Sequence, residues 1–280
     1  MGSPLLGAAR LLAYLAVTLA GIPVQMVLLA LGSRAAASFP RAYHALCARI
    51  VGLDVRTFGS PSAARPTLFV SNHSSYLDIT VLGSLIEGSF VAKSEVGTWP
   101  LFGLLARLQR TVFVDRRARN SASHRDDMKG RLEAGDSLVL FPEGTSSDGN
   151  RVLPFKSTLF AVAGLRVEGT PLVVQPVSVA AARLDGIPLG RTLRCAYAWY
   201  GGMELARHLW AMVGLGRLEV EVEFHEPVTV ERFGSRKALA EHCRREVAAG
   251  VERTVAGRRG PAAAPRAGAA GGEPDARPGG

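Results

Sequence analysis

In "NHSSYLD", residues 72–78, a histidine and an acid lie five positions apart, His73 and Asp78. In an unbroken helix that separation turns the two side chains about 140° apart, so they would not face each other. They meet only where a strand turns into a helix, with His73 at or before the helix start and Asp78 one turn in. Ser74 and Ser75 suit an N-cap there. A carboxylate holding one imidazole nitrogen fixes the tautomer and leaves the other as a general base. The proton it takes must come from a substrate hydroxyl or water, because no adjacent nucleophile is identifiable. A helix-capping loop with an incidental histidine accounts for the same residues.

Two further stretches carry polar groups at strand ends. "VLFPEGTSSDG", residues 139–149, places Glu143, Gly144 and Thr145 at the carboxyl end of an apolar run, where open α/β sheets bind ligands. Gly144 removes a side chain and lets backbone N–H groups approach an anion. An ordinary tight loop is the competing reading. "VFVDRR", residues 112–117, ends in Asp115, Arg116 and Arg117. Arginine forks suit phosphate or carboxylate, although a solvated basic loop has the same composition.

The elements needed to position these groups are legible as short apolar runs alternating with helical patterns. Strands are expected at 67–71, 89–93, 111–115, 137–141 and 172–180, with further ones at "LRCAYAWYG" (193–201) and "RLEVEVEFHEPV" (217–228). "YLDITVLGSLI" and "RDDMKGRLEAG" read as helices between them. The fold class is α/β, a mixed, largely parallel sheet flanked by helices.

The N-terminus is different. Leu11 to Gly32 contains no charged residue and spans roughly 30 Å as a helix, about the hydrocarbon thickness of a bilayer. Pro23 should kink it, so the expectation is a hydrophobic membrane helix or helix pair. The run is longer than the roughly 7–15 residues of a signal-peptide core, although "RAAAS" follows it. Arg34, Arg41 and Arg49 come next, so the expected location is the inner membrane with the globular part facing the cytoplasm. The domain expectation is a membrane-anchoring segment over 1–50, an α/β domain over 51–256, and a disordered tail over 257–280 rich in Gly, Ala, Pro and Arg.

Composition narrows the classes. The 280 residues carry a formal net charge of +9, which fits an anionic membrane surface or nucleic acid. The basic residues are spread along the chain and aromatics are only 7%, which argues against nucleic acid. Cys47, Cys195 and Cys243 are scattered, with no metal-site or disulfide pattern, and suit a reducing compartment. His44, His124, His208, His225 and His242 have no partner at metal-ligand spacing. Trp99 and Phe102 could insert at a lipid interface or pack in the core.

The order NHSSYLD, VFVDR, FPEGT and "VVQPV" (173–177) resembles the glycerolipid acyltransferase family, whose parent member is 1-acyl-sn-glycerol-3-phosphate acyltransferase. The resemblance covers roughly residues 65–180. It implies that His73 activates the acceptor hydroxyl and that Asp78 supports it. It implies that Arg116 helps bind the acceptor's anionic head and that Glu143, Gly144 and Thr145 shape the acceptor or oxyanion region, with Arg117 and Lys156 as secondary binding groups. It also implies direct attack on an acyl carrier protein or coenzyme A thioester, a lyso-lipid acceptor at the membrane, and no metal or organic cofactor. The parent reaction makes phosphatidic acid.

One position departs from the family pattern. Arginine usually follows Glu-Gly-Thr, and here Ser146 stands in its place. Losing a guanidinium beside a phosphate removes a contact of about 1.5–3 kcal/mol. Either Arg151, Lys156 or Arg117 compensates, or the acceptor lacks a phosphate monoester. "FPEGTSSDGNRVLPFKS" resembles the subgroup that acylates lyso-ornithine lipid, an aminolipid without phosphate. Both acceptors stand as expectations. A hydrolase in which His73 activates water is a distant third, since no GxSxG elbow or metal cluster accompanies it.

Overall fold

The structure is a computed structural model and describes residues 2–114 and 121–258, with side chains in the second stretch from Arg125 onward. Arg116 and Arg117, His124 and nearly all of the tail expected over 257–280 therefore lie outside the described side chains.

Helix α1, Pro4–Ala30, opens with Ser3 capping the Leu6 amide and Pro4 in the first turn, a favoured start. It runs through Pro23 as one helix and not as a pair. Helix α2, Ala35–Ile50, packs back against it, with Thr18 Oγ1 and Tyr43 Oη 2.7 Å apart. Of the two expected forms the structure shows the single apolar helix, and α2 is a separate helix that follows it.

Strand β1, Leu53–Phe58, was not anticipated; its burial is partial and its sequence carries alternating charge. There follow β2 Thr67–Ser71, α3 Leu77–Leu85, β3 Ser89–Lys93, α4 Phe102–Leu108, β4 Val112–Val114, α5 Ser121–Glu133 and β5 Leu138–Leu140. The chain then forms a small hairpin, β6 Arg166–Val167 with β7 Thr170–Pro171, before the long β8 Val173–Leu184. Strand β9 Ile187–Pro188, helix α6 Leu205–Val213, strand β10 Leu218–Phe224 and helix α7 Arg236–Val255 complete it.

The main sheet runs in the order β1-β10-β8-β2-β5-β3-β4, with β9 hairpinned onto β8. Pairs β2/β5, β2/β8, β3/β5, β3/β4 and β1/β10 are parallel, and β10/β8 is antiparallel. It is the mixed, largely parallel sheet expected. Alternation splits β2 between two cores: Phe69 packs with Leu77, Val81 and Leu82 of α3, and Leu68 and Val70 pack with Leu132, Leu239 and Cys243 from α5 and α7. With both faces covered, the whole of β2 is buried, which is why it reads as a continuous apolar run.

One strand expectation fails. Residues 193–201 form a 3-10 turn, Leu193–Ala196, and then irregular chain. Its alternating apolar residues serve a loop that turns inward to bury Tyr197 and Ala198.

Candidate active site

Strands β2 and β5 are parallel neighbours, so the segments leaving their carboxyl ends emerge side by side. One is NHSSYLD and the other is FPEGT. Asn72 anchors the first: its side-chain amide donates to the Val179 carbonyl and accepts from the Val179 amide, both at 2.8 Å. That pairing extends the ladder to β8 by one side chain and sets where the turn begins.

The turn brings His73 and Asp78 together. His73 Nδ1 lies 2.9 Å from Asp78 Oδ2. The same oxygen accepts the Ser74 amide at 2.7 Å and the Ser75 amide at 2.9 Å, while Oδ1 accepts the Tyr197 hydroxyl at 2.6 Å. The expected serine N-cap is replaced: the cap position is Tyr76, and Asp78 in the first turn takes the amides before it. Asp78 is fully buried. Three certain donors, the Ser74 and Ser75 amides and the Tyr197 hydroxyl, converge on an acceptor-only carboxylate, which favours the tautomer with the proton on His73 Nδ1 and the lone pair on Nε2. The histidine side chain remains 23% exposed, which keeps it within reach of a substrate.

The FPEGT loop grips the histidine from its other side. Glu143 Oε1 accepts the His73 amide at 3.1 Å, and the Ser147 amide donates to the His73 carbonyl at 2.9 Å. Phe141 stacks on the imidazole with ring centroids 4.2 Å apart, and Phe90 stacks on Phe141 at 6.1 Å. Gly144 adopts φ 70°, the left-handed region where a side chain is strained, and its amide donates to Phe141 carbonyl. Thr145 is exposed, and Ser146 and Gly144 are half-buried. Lys156 joins the loop through its backbone, donating to the Pro142 carbonyl, and its side chain is exposed, as is that of Arg151.

Glu143 is only 2% exposed, and its second carboxyl oxygen makes no hydrogen bond. Burial pushes its carboxyl up to about 8 against the pull of the His73 and Leu153 amides, and the charge on Asp78 adds to the rise. At neutral pH it is chiefly a neutral acid.

Three contributors were not singled out in the sequence. Tyr197 lies in the run misread as a strand. Phe141 looked like the end of a strand rather than a platform for an imidazole. Arg194, buried at 3% exposure, donates to Asn150 Oδ1 at 2.7 Å and to the Leu189 carbonyl at 2.9 Å, tying down the far end of the FPEGT loop. Burial lowers its basicity, while Asp148 opposes the shift. A buried arginine in a polar loop leaves no signal in one sequence.

Beyond the aromatic stack lies an apolar cavity of about 190 Å³. Phe90 and Tyr76, Phe102 and Leu105 of α4, and Gly21 and Ile22 of α1 are among its lining residues. The arrangement combines a held, partly exposed imidazole base with an apolar chamber beside an apolar helix. This is chemistry for a hydroxyl acceptor that carries a hydrocarbon chain.

The site and sheet define an α/β transferase of the acyl type, and comparison with known proteins agrees. The Acyltransferase family model matches residues 54–180. The chain is 44% identical over 255 residues to a lyso-ornithine lipid O-acyltransferase of Brucella abortus, covering 90% of this chain and 96% of that one. It is 42% identical over 228 residues to one of Rhizobium meliloti, covering 80% and 78%. It is 33% identical over 186 residues to a 1-acyl-sn-glycerol-3-phosphate acyltransferase of Neisseria gonorrhoeae, covering 64% and 67%. The fold matches the crystal structure of the acyltransferase PlsC from Thermotoga maritima with a TM-score of 0.57 at 24% identity, over 87% of this chain and 97% of that one. The protein belongs to the acyltransferase family and is an enzyme of that class.

Proposed function

We propose that this enzyme is attached to the inner membrane by residues 1–50 and transfers a fatty acyl group to the hydroxyl of lyso-ornithine lipid. The observation that carries the reaction type is His73, held through Nδ1 by a buried carboxylate and left with Nε2 free. Nε2 takes the acceptor's hydroxyl proton as its oxygen attacks the thioester carbonyl. A tetrahedral oxyanion forms and collapses, the carbon–sulfur bond breaks, and the proton passes to the departing thiolate of acyl carrier protein or coenzyme A. The thioester supplies the activated acyl group, so the reaction calls for no metal or organic cofactor.

The other residues divide the work by position. Asp78 orients the base and stabilises the imidazolium, and Glu143 fixes the backbone that carries it. Gly144 and Thr145 border the acceptor, and Arg116 and Arg117 supply cations for its head group, with Lys156 as a further one. The cavity behind Phe90 receives a hydrocarbon chain. Arg34, Arg41 and Arg49, which follow the apolar helix α1, orient residues 51–256 to the cytoplasm.

Ser146 and the extended identity to the Brucella protein support lyso-ornithine lipid over lysophosphatidate. The second reading, phosphatidic acid synthesis, draws support from exposed Arg151 and Lys156 on the same loop. The deciding experiment supplies membranes, labelled acyl thioester and both lyso-lipids in separate reactions. Label entering a two-chain ornithine lipid and not phosphatidate is expected. Label entering phosphatidate alone would reverse the acceptor assignment, and label released only as free fatty acid would make the enzyme a hydrolase.

A further inference from the structure

Between β3 and β4 the chain builds a compact outcrop: a 3-10 turn over Ser94–Thr98 followed by α4. Its parts are locked together. A Cβ on Gly103 would sit 2.4 Å from the Gly97 carbonyl oxygen, so only glycine allows this approach. Arg107 donates to the same carbonyl at 3.2 Å. Leu101, at the junction, holds φ 61°, an uncommon conformation for a residue with a side chain.

This stiff outcrop displays apolar side chains. Trp99, Leu101, Phe102 and Leu104 are 42%, 43%, 42% and 44% exposed, a contiguous patch rather than scattered residues. The rings of Trp99 and Phe102 meet edge to face, with centroids 6.3 Å apart. The outcrop's inner side does something else. Val96, Phe102 and Leu105 line the apolar cavity, which Gly21 and Ile22 of α1 also line. Helices α1 and α4 touch, and α1 exposes Leu12, Leu19 and Val27 on its own surface.

A patch on an element that touches an apolar helix of membrane-spanning length has the bilayer as its natural cover. Tryptophan at its tip suits the headgroup boundary, where an amphipathic ring has one apolar and one polar side. We propose that Trp99–Leu104 inserts into the lipid leaflet beside α1. The proposal rests on the membrane-lipid reading above and adds a second membrane contact, distant in sequence from α1.

The test uses the full chain with Trp199→Phe and Trp210→Phe, which leaves Trp99 as the reporter. It is mixed with phosphatidylcholine–phosphatidylglycerol vesicles whose acyl chains are brominated. Co-sedimentation with quenching of at least about half of the emission is expected for a ring at the headgroup–acyl boundary. Bound protein with unquenched emission, or protein that does not co-sediment, overturns the proposal. A second variant, Leu101→Asp with Leu104→Asp, places charges in the leaflet. It should raise KM about tenfold for acceptor presented in vesicles and leave turnover of detergent-dispersed acceptor within about twofold. An unchanged vesicle KM, or equal loss in both presentations, contradicts insertion. Quenching of Trp99 in the double-phenylalanine chain, with no acyl transfer by the wild-type chain, would instead refute the functional reading, so the two failures are distinguishable.

Discussion

The Tyr197 hydroxyl donates to Asp78 Oδ1 at 2.6 Å, joining the loop after β9 to the first turn of α3. Tyr197 is 1% exposed, and burial together with Asp78 raises its phenol well above the ordinary value, so it stays protonated and can only donate toward the carboxylate. It lies beyond the residues matched by the family model. Its place in the site is to hold the acid that holds the base.

Tyr197→Phe keeps the ring and deletes that one donor. A charge-assisted bond of this kind contributes about 1.5–3 kcal/mol, so thermal stability should fall. The kcat should fall about tenfold with acceptor KM within about twofold, because the loss acts through Asp78 and not on bound lipid. Steady-state kinetics at saturating thioester checks this; an unchanged kcat would leave Tyr197 as packing alone.

Asp78→Asn tests the next link. An amide can offer a donor to Nδ1 and so favour the wrong tautomer, leaving no lone pair at Nε2. The kcat should drop by about 10²–10⁴ with little change in acceptor KM. Equal turnover in the two proteins would remove Asp78 from the mechanism.

Glu143 yields a pH-dependent prediction. Its folded carboxyl titrates near 8, above the ordinary value of 4.5. Between those two pH values the native state holds a proton that the unfolded chain has released, so stability falls as pH rises across that window. Glu143→Gln retains the oxygen that accepts the His73 amide and cannot ionise. The melting temperature of the Gln variant relative to wild type should therefore climb from pH 5 to pH 8, and its kcat at pH 7 should stay within about threefold. Glu143→Ala should lose at least about tenfold in kcat, because the His73 amide is left unpaired. A flat difference in melting temperature across that range would mean Glu143 is not buried as a neutral acid.

How far the sequence alone leads depends on whether the interactions are local. The meeting of His73 and Asp78 is legible because the turn is set by a strand end and a helix start only a few residues apart. The buried strands β2, β5 and β8 are legible because burial on both faces leaves an uninterrupted apolar signal. Strand β1 escapes notice because it is only partly buried and its charges pair laterally, as Arg56 does with Glu219 at 2.9 Å. Tyr197 and Arg194 are illegible for a different reason. Each reaches a partner that is distant along the chain, and nothing in the neighbouring residues encodes it. The misreading of 193–201 has the same origin: inward-facing loop residues imitate the alternation of a strand.

Ser146→Arg probes the acceptor. Restoring a guanidinium at this half-buried loop position should raise turnover of lysophosphatidate relative to lyso-ornithine lipid by at least about tenfold, the worth of one charge-assisted contact. The measurement is the ratio of kcat/KM for the two acceptors in wild type and variant. An unmoved ratio would separate Ser146 from head-group choice.

The claim beneath all of these is that the imidazole at position 73 deprotonates the lipid hydroxyl. Its most direct test is single-turnover transfer of labelled acyl thioester to lyso-ornithine lipid, comparing wild type with His73→Ala after both are shown to bind acceptor equally. A loss of about 10²–10⁴ in the transfer rate is the predicted result. Transfer by the alanine variant within about threefold of wild type would contradict it.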